Sequence, residues 1–128
     1  MKLLINYLAV AGAGSLGAVA RLFVGSICGR FFGNNFPIGT FIINITGSLF
    51  LGWFIAFAKQ RSGISDTVFL AVAVGFVGAY TTFSTFMAES NSLLTLGSNA
   101  KAVTYLIGSI VIGLLAVRFG LWLDAKSA

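Results

Sequence analysis

The sequence predicts an all-α integral membrane protein with four transmembrane helices, and three observations carry that prediction. Of its 128 residues 58% are hydrophobic and only 9% charged, with a mean hydropathy of +0.99. A soluble domain carries roughly 25% charged residues, so a water-facing shell cannot be made from this composition. The charges punctuate long uncharged windows at 3–20, 31–58, 67–88 and 102–117. None of these windows has the wet polar face that a helix of a soluble bundle needs. A spanning helix takes about 20 apolar residues at roughly 1.5 Å each. The expected spans are therefore 4–24, 37–58, 68–88 and 102–123, with residues 1–128 forming a single four-helix transmembrane domain.

The first span is glycine-rich, with Gly12, Gly14, Gly17 and Gly25 around Arg21. Lys2 before an apolar stretch, and Ala18-Val19-Ala20, imitate a secretory signal and its cleavage site. Three more spans of the same character follow, so a retained first helix is expected. A loop is expected over 26–36, holding Gly29, Gly33, Asn34 and Asn35, with Cys28 as a small apolar filler near a helix end. Pro37 suits a helix start, where its missing N–H costs nothing. The second span carries Ser48, Gly52 and Ala56 every four positions, and the third carries Ala71, Gly75 and Ala79. Such stripes let helices approach closely in lipid. A short polar loop, 59–63, leads to Asp66, which is placed to cap the third span. Gly97, Ser98 and Asn99 form the last loop, and Trp122 falls near an interface at the end of the fourth span.

Composition also excludes function classes. The net charge of +5 comes from scattered Lys and Arg that flank hydrophobic spans, as interfacial residues do. No basic face exists for a nucleic-acid backbone to follow. With no histidine and one cysteine, an intrachain disulfide is impossible and a soft-ligand metal site is disfavoured. The sequence GAGSLG over 12–17 matches the dinucleotide fingerprint, but the acidic residue required about 20 positions later is missing; the next carboxylate is Asp66. No nucleophile–base pair is present for catalysis. No Asp or Glu lies in the central part of a span, where a proton-coupled exporter would need one.

The remaining signal is polar groups that lipid would punish. Asn44, mid-span, must bond a neighbouring helix or donate its NH2 group to a solute. Thr81, Thr82, Ser84 and Thr85 cluster around Phe83 and just before Phe86, and with Gly78 they support a local break in the third helix. Phe83 and Phe86 share one face. Arg21 reads as an interfacial residue or as the positive charge of an aqueous vestibule. Glu89 ends the third span, and Tyr105 and Ser109 form a polar stripe on the fourth, with Asn44 a possible neighbour. Hydroxyls, an amide and aromatic ring edges, which carry partial positive charge, suit a small anion that must not be held too tightly.

Three runs, GSLGAVAR over 14–21, PIGTFIINITG over 37–47 and GFVGAYTTFSTF over 75–86 followed by Glu89, resemble those of the Fluc or CrcB fluoride channel family across the whole chain. The resemblance implies an antiparallel dual-topology homodimer in the bacterial inner membrane, passing fluoride out of the cell passively through two pores. It implies that Asn44, Phe83, Phe86, Thr40, Tyr105 and Ser109 line the fluoride pore, with Arg21 in the vestibule and Glu89 near the pore. It also implies a structural sodium ion at the dimer centre, held by backbone carbonyls of Gly78 and Thr81. Expected partners are thus fluoride, a second copy of the chain and membrane lipid, with no nucleic acid. Lys2, Lys59, Arg61, Arg118 and Lys126 fall on one side of the membrane against Arg21, Arg30 and Lys101 on the other, a near balance that permits insertion both ways. Ala79, where the family often has glycine, Tyr80, where phenylalanine is common, and Gly113, where some members have serine, depart from its pattern. A small multidrug exporter would share the size and helix count but carry an acidic residue in its first helix, and positions 3–20 contain none. An assembly subunit would use Asn44 and the two phenylalanines only for packing.

Overall fold

A computed structural model of the chain describes residues 1–33 and 35–125. Asn34 of the first loop and Lys126 of the charge count lie outside the described residues. Four stretches are long and apolar enough to cross a membrane. They are α1 (Lys2–Phe32), α2 (Ile38–Gln60), a third span over Asp66–Thr95, and α5 (Asn99–Ala125). The third span is interrupted and consists of α3 (66–80) and α4 (Phe83–Thr95).

Helix α1 continues well past the loop expected from residue 26. It crosses α2 closely there, and a Cβ on Gly39 would lie 3.4 Å from the Cβ of Cys28 and 3.6 Å from the Cα of Gly25. Cys28 is therefore a buried contact inside the helix. The helix stops at Gly33, whose φ of +68° is one that a residue with a side chain rarely adopts and that glycine takes freely.

The cap of the third span is Ser65, not Asp66. Extended Ser65 accepts from the Val68 N–H at 3.3 Å, and Asp66 stands one residue further in. Its carboxylate there still complements the positive helix end and pairs with Lys2 at 3.2 Å. Thr67 donates to Asn6 at 2.6 Å, a second tie between α3 and the start of α1.

The spans pack in two pairs, α1 with α3 and α2 with α5. Each pairing has glycines at its crossing. A Cβ added to Gly17 would collide with the Phe76 carbonyl, and one on Gly75 would sit 2.8 Å from the Val10 carbonyl. Between α2 and α5, Gly52 faces the Val117 carbonyl and Gly120 faces the Leu49 carbonyl at equally close range. With no hydrophobic drive between helices in lipid, this backbone approach supplies the van der Waals contact that holds them. Leu3, Leu16, Leu22, Ile110 and Leu114 remain exposed on the outer faces of α1 and α5, as lipid solvent requires. Residues 70–77 of α3 adopt a π-helix, a wider turn that recurs at functional sites. A buried cluster of Phe86, Leu93, Ala102 and Tyr105 joins α4 to α5 and places the polar residues described next.

Candidate functional site

The break between α3 and α4 falls at Thr81 and Thr82, inside the predicted hydroxyl cluster. Both are extended, with ψ of 159° and 121°. The last helical bond of α3 runs from the Thr81 N–H to the Val77 carbonyl at 2.9 Å. In an unbroken helix the Thr82 N–H would next bond the Gly78 carbonyl. It donates instead to Oδ1 of Asn44 at 2.8 Å, while Nδ2 of Asn44 donates to the Thr82 carbonyl at 3.0 Å. One carboxamide thus serves both main-chain groups of the junction residue. The Thr82 hydroxyl caps α4 by accepting from the Thr85 N–H at 3.3 Å, which diverts the helical donor of the Thr81 carbonyl. Helix α2 can come this close because Gly47, three residues after Asn44, faces the Thr81 methyl and the Tyr80 ring. The Tyr80 hydroxyl shares a 2.9 Å hydrogen bond with Thr46, so the extra hydroxyl at this position is satisfied on α2.

A second polar group gathers around Glu89. Thr40 on α2 donates to Oε1 at 2.8 Å and Tyr105 on α5 donates to Oε2 at 2.7 Å. Hydrogen bonds to a charged acceptor are the strong kind, so this carboxylate ties three elements together. Tyr105 is 1% exposed. Phe86 meets its ring edge-to-face at a centroid distance of 4.9 Å, and Phe36 does so at 5.5 Å. One turn further along α5, the buried Ser109 hydroxyl has no hydrogen-bond partner among the described residues. Tyr105 therefore reaches Glu89, and Asn44 is engaged at the break. Phe83 and Phe86 lie 6.2 Å apart but differ sharply: Phe86 is 6% exposed and Phe83 74%.

Two cavities meet these groups. One of about 1040 Å³ is bounded by α1, α2, α4 and the start of α5, and its walls include Arg21, Thr40, Thr82, Glu89 and Lys101. Two cations against one carboxylate make it attractive to anions. The other, about 230 Å³, is an open cleft between α2 and the break, lined by Asn44, Ser48, Thr81, Thr82, Phe83 and Phe86. Thr82 and Phe86 thus stand where polar track and cleft adjoin. Lys101 reads from the sequence only as a flanking charge; its place on the cavity wall follows from the α4–α5 turn. The role of Phe36 against Tyr105 had no signal beyond its being aromatic.

The chemistry of the break suits a hard cation. The break interrupts the helical ladder over Gly78–Thr81, with the donors of the Gly78 and Thr81 carbonyls taken by Asn44 and by the Thr82 hydroxyl, and carbonyl oxygens freed from a broken helix are ligands for such ions. Among the described residues no group of three or more His, Cys, Asp or Glu side chains is placed to hold a metal.

Comparison with known proteins places this geometry in context. Residues 8–121 match the family described as CrcB-like protein, Camphor Resistance (CrcB). The chain is 46% identical over 114 residues to fluoride-specific ion channel FluC 1 of Nitrobacter hamburgensis, covering 89% of this chain and 90% of that protein. It is 42% identical over 118 residues to fluoride-specific ion channel FluC of Chloroflexus aurantiacus, covering 92% and 94%. It is 38% identical over 121 residues to fluoride-specific ion channel FluC 2 of Yersinia pseudotuberculosis, covering 93% and 96%.

Proposed function

The chain belongs to the CrcB family, and from that premise we propose that it is a passive, selective channel through which fluoride leaves the cytoplasm across the bacterial inner membrane. It is a multi-pass membrane protein and a channel, not an enzyme. The observation that carries the reading is the hydrogen-bonded arrangement of Thr40, half-buried Glu89 and Tyr105, packed on Phe86, beside a cavity that bears Arg21.

Fluoride is small and strongly hydrated, so a pore must replace its water with several weak donors in series. Arg21 supplies a positive potential at the mouth without lying on the narrow route, where a fixed cation would hold the ion. Thr40, Tyr105 and Ser109 supply hydroxyls that rotate to suit an acceptor. Glu89 engages two of these hydroxyls at rest and returns them to the same orientation after an ion has passed. Phe83 and Phe86 present ring edges, which attract anions weakly, and Asn44 has a second N–H beyond the one given to Thr82. Several weak sites permit both entry and exit.

A second copy of the chain, inserted antiparallel, completes the proposed channel. The cleft lined by Asn44, Thr81, Thr82 and Phe83 is open, and lipid there would leave the second N–H of Asn44 and the freed Thr81 carbonyl unsatisfied. A copy in the opposite orientation covers it, and the near-balanced flanking charge permits that insertion. A structural sodium ion at the centre of that dimer belongs to the same reading. Carbonyls of Gly78 and Thr81 would hold it, and when bound it supplies the positive charge that compensates their converging dipoles.

The test is fluoride efflux from sodium-loaded liposomes containing only this purified chain, with chloride as control. Rapid fluoride loss without chloride loss, and without a proton gradient, is the expected trace. No fluoride release from verified dimers would overturn the reading of a self-sufficient homodimeric channel.

A further inference from the structure

We infer that Asn44 is a positioning residue as well as a pore donor: it is the clamp that keeps the third span broken, and through that break it governs whether the Gly78 and Thr81 carbonyls are free to hold a cation. The break puts the main chain of Thr82 at membrane depth with neither of its groups in a helical ladder. An unpaired main-chain group there is costly. Among common side chains, a carboxamide at this distance offers an acceptor and a donor side by side, as a neighbouring strand would. Asn44 uses both, at 2.8 Å to the N–H and 3.0 Å to the carbonyl of Thr82.

The consequence runs in both directions. By taking the Thr82 N–H, Asn44 withdraws the one donor that would close the helix over the Gly78 carbonyl. By fixing Thr82, it sets the hydroxyl that caps Thr85 and so diverts the donor of the Thr81 carbonyl. Its two bonds also lock the carboxamide plane, which fixes where its second N–H points. Cation site and pore donor are therefore two ends of one rigid group. Gly47 is part of the device, since a side chain there would push α2 off the Thr81 methyl and the Tyr80 ring.

The clamp itself follows from the geometry, whereas its link to sodium rests on the function proposed above, and two readouts separate them. The first is amide hydrogen exchange at Thr82 in the detergent-solubilised protein. Asn44→Ala is expected to speed it about tenfold, the equivalent of losing one net hydrogen bond of ~1.4 kcal/mol. Asn44→Asp, which keeps an acceptor for the same N–H, is expected to leave it protected and also serves if the alanine variant fails to fold. The second is the shift in melting temperature between sodium and sodium-free buffer. Asn44→Ala is expected to lose that shift, whereas Phe86→Ile, a pore variant outside the clamp, keeps it. Unchanged Thr82 protection in Asn44→Ala would overturn the clamp. A full sodium shift in that variant would overturn the coupling. An absent shift in the unmodified protein would overturn the coupling through failure of the sodium reading, with the clamp then judged on exchange alone.

Discussion

Tyr105 and Glu89, on different helices and 16 residues apart, are joined by a 2.7 Å hydrogen bond from the phenol to Oε2 of the carboxylate. Thr40 holds the other oxygen at 2.8 Å, so three transmembrane elements converge on one acidic group. Losing one donor removes a hydrogen bond to a half-buried carboxylate, a net loss of about 0.5–1.5 kcal/mol where the cavity gives the freed oxygen access to water. Tyr105→Phe is therefore expected to lower both thermal stability in detergent and the rate of fluoride efflux. The double variant Tyr105→Phe/Glu89→Gln should lose less than the sum of the single losses, because the partners share one interaction. Strict additivity in that cycle would mean the bond contributes nothing.

The glycine crossings give a cleaner contrast. A methyl on Gly52 meets the backbone of Val117, and one on Gly17 meets that of Phe76, neither of which can swing aside. Over-packing of this kind costs about 1–3 kcal/mol. Gly12 has nothing within 4 Å of such a methyl. Gly52→Ala and Gly17→Ala should unfold at lower denaturant concentration than the parent in matched detergent, and Gly12→Ala should not.

These contrasts mark what the sequence discloses and what it withholds. Four spans, the stripe containing Gly52 and the break near Gly78 follow from apolar length, small-residue spacing and hydroxyl density, all local properties. The π-helical stretch over 70–77 leaves no such trace, because an all-apolar run satisfies any helical winding. Asp66 reads as the cap because it is the strongest anion near the helix start, yet the extended backbone of Ser65 decides which oxygen reaches the free N–H groups. Asn44 reads equally well as a helix tie or a solute donor. Only the tertiary approach of α2 to Thr82, made possible by Gly47, shows that one of its donors is already committed.

The two phenylalanines should separate packing from function. Phe86 is buried against Tyr105, so Phe86→Ala is expected to destabilise the protein by about 3–5 kcal/mol as a core truncation. Phe83 is exposed and touches little of its own chain. Phe83→Ala removes little packing within its own chain, so it should lower the melting temperature of the detergent-solubilised protein by less than Phe86→Ala does while reducing fluoride efflux. Equal stability losses at both positions would contradict the distinction, which a thermal scan alongside the liposome trace decides.

Arg21 and Lys101 share the wall of the large cavity with Glu89, and their effect should be one of concentration and not of recognition. A cation lining a cleft raises the local density of anions, and focusing of this kind changes rates by about tenfold or more. Arg21→Gln is therefore expected to slow fluoride efflux about threefold to tenfold at low ionic strength. Lys101, more exposed than Arg21, should matter less, because water screens it more completely. Both losses should shrink as salt is raised, since the Debye length falls from about 30 Å at 0.01 M to about 10 Å at 0.1 M. Fluoride preference over chloride should stay unchanged, because on the function proposed above the ion is contacted by hydroxyls and ring edges and not by the guanidinium. A salt-independent loss in Arg21→Gln, or a change in preference, would instead assign the guanidinium to the narrow part of the route.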